Sequence, residues 1–84
     1  MTNTMAKRKE RTQLRLGDVY RYIVTGELTP IVNLENMRFH NGMIIIQVPM
    51  FHEYGFNCVG QNGTHDEKAL RAAIKEINKI ISEV

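Results

Sequence analysis

A single cysteine, Cys58, leaves the chain without an internal disulfide, which fits a reducing compartment or a chain that needs no staple. Ser82 is the only serine and lies near the end of the last amphipathic run, a poor seat for serine nucleophile chemistry. No glycine pair leads into Gly-Lys-Ser/Thr and no G-x-G-x-x-G occurs, so phosphate-cradling loops of either kind are absent. The three histidines, His40, His52 and His65, lack metal-ligand spacing such as H-x-x-x-H. Cys58 lies in the run read as the third strand, where a cysteine is usually a small core residue; the reactive alternative is a Cys58–His52 pair. No apolar run approaches the roughly 20 residues of a membrane span. The basic N-terminus lacks the apolar stretch of a secretory signal. These absences point away from an enzyme, a cofactor, a metal and a membrane, and toward the cytoplasm.

What is present is a hairpin. Asn41-Gly42 is the strongest short signal for a type I′ turn, because both residues tolerate positive φ. The run after it, Met43-Ile44-Ile45-Ile46-Gln47-Val48, is apolar on both faces. Ile44, Ile46 and Val48 point one way; Met43, Ile45 and Gln47 point the other. Such a strand is central and covered on at least one face. Pro49 ends it, since proline cannot donate to a ladder. Leu34 to His40 alternates loosely and pairs with this strand through the turn. Met50 to Gly55 reads as a loop with aromatics, and Phe56 to Val59 as a short third strand.

The C-terminus supplies the cover. Thr64-His65-Asp66-Glu67 has the form of a capping box. A helix follows from about His65 to Glu83, with Leu70, Ile74, Ile77, Ile81 and Val84 in one stripe widened by Ala73 and Ile80. Gly60 and Gly63 precede it, but Asp66 and Glu67 would repel an anion there. Val19 to Thr25 is rich in β-formers, which favours a strand. A short helix is the alternative, with Asp18 as its cap, Val19, Tyr22 and Ile23 on one face and Gly26 just past its end. Pro30 interrupts Leu28 to Val32, so any strand there is an edge or has a break. The expected fold is a single small α+β domain over residues 12–84: an antiparallel sheet of three to four strands, with the Asn-Gly hairpin, covered by one C-terminal helix. Residues 1–11 form a disordered basic arm.

Two constellations could carry function. The first is basic. Lys7, Arg8, Lys9 and Arg11 lie in the arm, and Lys68, Arg71, Lys75 and Lys79 recur one helical turn apart on the face away from the core. Cations so spaced can follow a phosphate backbone. The second is apolar: Met50, Phe51, His52 and Tyr54, beside a sheet edge that would accept a strand from another chain. A chain of 84 residues buries only a modest core, and dimerisation is an ordinary remedy.

From about Val32 to Ile81 the order of Asn41-Gly42, apolar strand, Pro49, a loop with Gly55, a short strand and an amphipathic helix resembles the SpoVG-type septation and sporulation regulators. That resemblance implies a DNA-binding homodimer, with Lys68 and Arg71 at the position that contacts DNA. A fainter likeness is to HicB-type antitoxins. The expected function is a small nucleic-acid-binding regulator; the alternative is a protein-binding module of antitoxin or phage-inhibitor type, acting through a sheet edge or the apolar loop.

Overall fold

A computed structural model describes residues 11–58 and 66–84. They form helix α1 (Leu16–Thr25), strands β1 (Asn36–His40), β2 (Met43–Val48) and β3 (His52–Asn57), and helix α2 (Glu67–Glu83), with a 3-10 turn at Pro49–Phe51 between β2 and β3. The sheet is antiparallel with order β1-β2-β3, so the architecture is α+β with three strands.

The hairpin forms as its turn residues dictate. Asn41 and Gly42 take φ values of 52° and 76°, the left-handed pair that matches strand twist. Pairing runs without a break from His40↔Met43 to Asn36↔Gln47. Ile44, Ile46 and Val48 are fully buried, while Met43, Ile45 and Gln47 are half-buried.

Helix α2 lies on that buried face, presenting Leu70, Ala73, Ile74, Ile77 and Ile81. Its first residue is Glu67, and Asp66 caps it by accepting the Lys68 amide at 3.1 Å. The capping box expected from Thr64 lies partly outside the described residues. Val84, assigned to the apolar stripe, falls beyond the helix and is 54% exposed. The last turn is held from elsewhere: Asn33 Nδ2 donates to the Ile81 carbonyl at 3.0 Å and the Val84 carbonyl at 3.3 Å.

Val19–Thr25 is helical, not a strand. The end signals outweigh the β-forming composition. The Asp18 carboxylate accepts the Arg15 amide at 2.8 Å in the first turn, where a negative charge also suits the helix dipole. Gly26 closes the helix at φ 77°, its amide donating to the Tyr22 carbonyl at 2.8 Å. Packing then fixes the choice, since helical spacing buries Val19 completely and brings Tyr22 to 6.0 Å from Phe39, ring centre to ring centre. Tertiary contacts of this kind override weak β-propensity. The Leu28–Val32 run forms no strand, only isolated bridges of Ile31 with Arg11 and with Leu34.

The third strand begins at His52, four residues before the sequence suggests, and pairs along its length with β2 from Val48↔His52 to Met43↔Asn57. The expected loop shrinks to Pro49, Met50 and Phe51. Among the described residues the helices pack on one face of the sheet only. The other face carries Asn36, Arg38 and His40 from β1, Met43, Ile45 and Gln47 from β2, and Glu53, Gly55 and Asn57 from β3. Met43 folds over Gly55, its Cε 2.9 Å from where a Cβ would stand.

Candidate interaction surfaces

The β2–β3 turn is the least ordinary stretch of backbone. Pro49 fixes the chain direction where β2 ends, and only three residues separate Val48 from its partner His52. The reversal is completed by Met50 at φ 74° and Phe51 at φ 64°. A left-handed φ costs an L-residue on the order of 1–2 kcal/mol, and bulky side chains rarely adopt it. Neither side chain recovers the cost by burial, since Met50 is 81% and Phe51 84% exposed. His52 and Tyr54 follow on β3, also exposed. The structure thus brings Met50, Phe51, His52 and Tyr54 to one end of the sheet. Composition could mark these aromatics; it could not show that Met50 and Phe51 are held outward by a strained turn.

Strand β3 adds an open edge. Cys58 N donates to Gly42 O at 3.0 Å, and hydrogen-bonded pairs alternate along an antiparallel ladder. His52, Tyr54 and Phe56 therefore bond β2, and the backbone of Glu53, Gly55 and Asn57 faces away. No hydrogen bond among the described residues uses those three amides. The opposite edge differs. On β1 the outward amide of Met37 is taken by Asn36 Oδ1 at 2.9 Å.

The basic constellation is divided. Lys68, Arg71, Lys75 and Lys79 are exposed on the side of α2 away from the sheet. Arg71 is paired with Glu67 at 2.9 Å; no ion pair among the described residues engages Lys68, Lys75 or Lys79. Arg11 is withdrawn from the arm, clasping Asp18 at 2.7 Å with its backbone bridged to Ile31. Lys7, Arg8 and Lys9 lie outside the described residues. They carry the charge asymmetry, because residues 11–58 and 66–84 hold eight Lys and Arg against eight Asp and Glu.

Cys58 and His52 do not meet. They sit at opposite ends of β3, six residues or about 20 Å apart at the usual strand rise. Cys58 is buried, its Sγ 3.5 Å from the Gly42 carbonyl, and burial raises its thiol pKa above the ordinary value. The fold favours the neutral thiol. Its contribution to stability is complete below the unfolded thiol pKa and is lost as pH climbs through that value toward the folded one. The urea midpoint should therefore decline in that alkaline window, and Cys58→Ala should remove part of the decline. An unchanged pH profile in Cys58→Ala would contradict this.

Among the described residues no group of three His, Cys, Asp or Glu gathers as a metal site, and no helix is long and apolar enough to cross a membrane. No family model, curated protein or solved structure matches the chain.

Proposed function

We propose that the protein is a non-enzymatic binding module whose partner is another polypeptide, engaged at the β2–β3 end. The observation that carries this is the turn: two large apolar side chains, over four-fifths exposed, on consecutive left-handed residues. Strain of this kind collects at binding and switching sites. An apolar anchor beside an open strand edge matches the two elements of strand-addition recognition, main-chain bonds for affinity and a side-chain anchor for specificity. Affinity capture with the full chain, in nuclease and high salt, tests it. A stoichiometric protein partner supports the reading, and recovery of nucleic acid alone overturns it.

If the turn is kept for binding, its residues are poor choices for stability. Met50→Gly relieves a left-handed φ but adds unfolded-state entropy of about 0.5–1 kcal/mol. The expected urea midpoint is equal to or above that of the native chain. A drop of more than about 1 kcal/mol, in the range of ordinary destabilising substitutions, would show that Met50 supports the fold.

A second reading has its own observation. Among the described residues Lys68, Lys75 and Lys79 have no ion pair and share one exposed face, and the resemblance to SpoVG-type regulators would place DNA there. Each phosphate neutralised on B-DNA contributes about −0.9 to the slope of log K against log salt. Anisotropy titrations with duplex and single-stranded oligonucleotides at two salt concentrations decide it, run beside Lys68→Glu/Arg71→Glu and a chain lacking residues 1–11. Salt-steep binding weakened in both supports a DNA-associated regulator; absence of binding at low salt removes it.

A further inference from the structure

We propose that the occupant of the β3 edge is the β3 edge of a second copy, paired antiparallel about a two-fold axis at Gly55. This rests on reading the β2–β3 end as a protein-contact surface and names its partner. The first ground is the edge itself. Monomeric proteins blunt an edge strand with lysine, proline, a bulge or a cover. The strand His52-Glu53-Tyr54-Gly55-Phe56-Asn57 has no lysine and no proline, its one carboxylate, Glu53, is drawn to Arg38 at 3.2 Å on the open face, and its pairing with β2 has no bulge. On β1 the Asn36 side chain occupies an outward amide, which leaves β3, among the described residues, as the edge with a clear run of donors and acceptors.

The second ground is self-complementarity. The outward-facing residues are Glu53, Gly55 and Asn57, so a two-fold at Gly55 sets Gly55 against Gly55 and Glu53 against Asn57 of the other copy. On the helix-covered face the same register sets Tyr54 against Phe56 twice. Tyr54 is 39% exposed and Phe56 packs against the core, so these pairs extend the apolar layer across the junction. Aromatic pairs are among the favourable cross-strand contacts. A two-fold at Glu53 would oppose two carboxylates. Two-fold closure is also the commonest symmetry of small oligomers. Gly55 suits the axis, because Met43 already lies over it on the open face.

Sedimentation of the full chain tests the pairing, with variants chosen for register and their folding checked by circular dichroism. The native chain should be a dimer whose dissociation is indifferent to nuclease. Gly55→Pro removes an outward N–H and should give a monomer with the native spectrum. Gly55→Ala displaces only the flexible end of Met43 and should remain a dimer. Asn57→Lys meets Glu53 of the other copy and should tighten the dimer roughly two- to tenfold, while Asn57→Glu should loosen it by a similar factor. Should Gly55→Pro fail to fold, the Asn57 pair decides alone. A monomer at high micromolar concentration overturns the proposal, as does a dimer indifferent to both Asn57 changes. A monomer that still captures another protein through Met50 and Phe51 overturns self-pairing while leaving the protein-contact reading intact.

Discussion

Ile46→Asp should abolish the folded state. Ile46 is fully buried at the centre of β2, flanked by Met37 on β1 and Tyr54 on β3, on the face that α2 covers. Among the described residues no lysine or arginine of the sheet shares that face, since Arg38 lies on the other one. Leaving a charge buried and unpaired costs about 3–5 kcal/mol, on top of the lost isoleucine burial of roughly 1.5–3 kcal/mol. Small domains hold only about 5–15 kcal/mol in total, and this one has 84 residues. The neighbouring Ile45→Asp is the control, because Ile45 is half-buried on the open face. It should cost about 1 kcal/mol, the centre of the usual range for point substitutions. Circular dichroism and amide dispersion in NMR separate the two. A folded Ile46→Asp chain with a small shift in midpoint would move Ile46 out of the core.

Asn78→Leu should be the next most damaging change, although Asn78 stands on a helix flank that composition gives no reason to single out. Its Oδ1 accepts the Leu14 amide at 2.7 Å and its Nδ2 donates to the Leu14 carbonyl at 3.0 Å. One side chain thus satisfies both backbone groups of a residue 64 positions away whose own side chain is buried. Leucine preserves the bulk and removes both partners. Each backbone group left unsatisfied costs about 1–3 kcal/mol, so a loss of about 2–4 kcal/mol is expected once partial access to water is allowed. Loss of hydrogen-exchange protection at Leu14, and earlier melting of α1, would accompany it. Equal stability of Asn78→Leu and the native chain would show that the clamp contributes nothing.

Local signals carried further in some parts of the chain than in others. The Asn41-Gly42 turn, the apolar β2 run, Pro49 at its end and the stripe on α2 are short-range patterns whose partners lie nearby, and each could be read directly. Val19–Thr25 could not, because its side chains suit a strand while Asp18 and Gly26 suit helix ends. What decides is the contact of Val19 and Tyr22 with elements far away in the chain. Asn33 and Asn78 are illegible for the same reason: a polar residue that completes a distant backbone resembles any surface asparagine in sequence. At the candidate site, Met50, Phe51, His52 and Tyr54 were legible as exposed-type residues. The positive φ of Met50 and Phe51 was not, since neither is a glycine or asparagine, the residues that ordinarily announce such a turn. Arg11 illustrates the converse. It reads as one more charge in a basic arm, yet the fold engages it with Asp18.

The role proposed for the Met50-Phe51 turn is that of a contact surface for protein. Its most direct test is quantitative capture by the full chain and by Met50→Ser/Phe51→Ser, from the same nuclease-treated preparation at high salt. Lys68→Glu/Lys75→Glu/Lys79→Glu serves as the control on α2. The native chain and the α2 variant should retain the same protein at matching stoichiometry. The turn variant should lose it while keeping its circular dichroism spectrum and melting temperature. Undiminished capture by a folded Met50→Ser/Phe51→Ser chain, or loss only in the α2 variant, would contradict the claim.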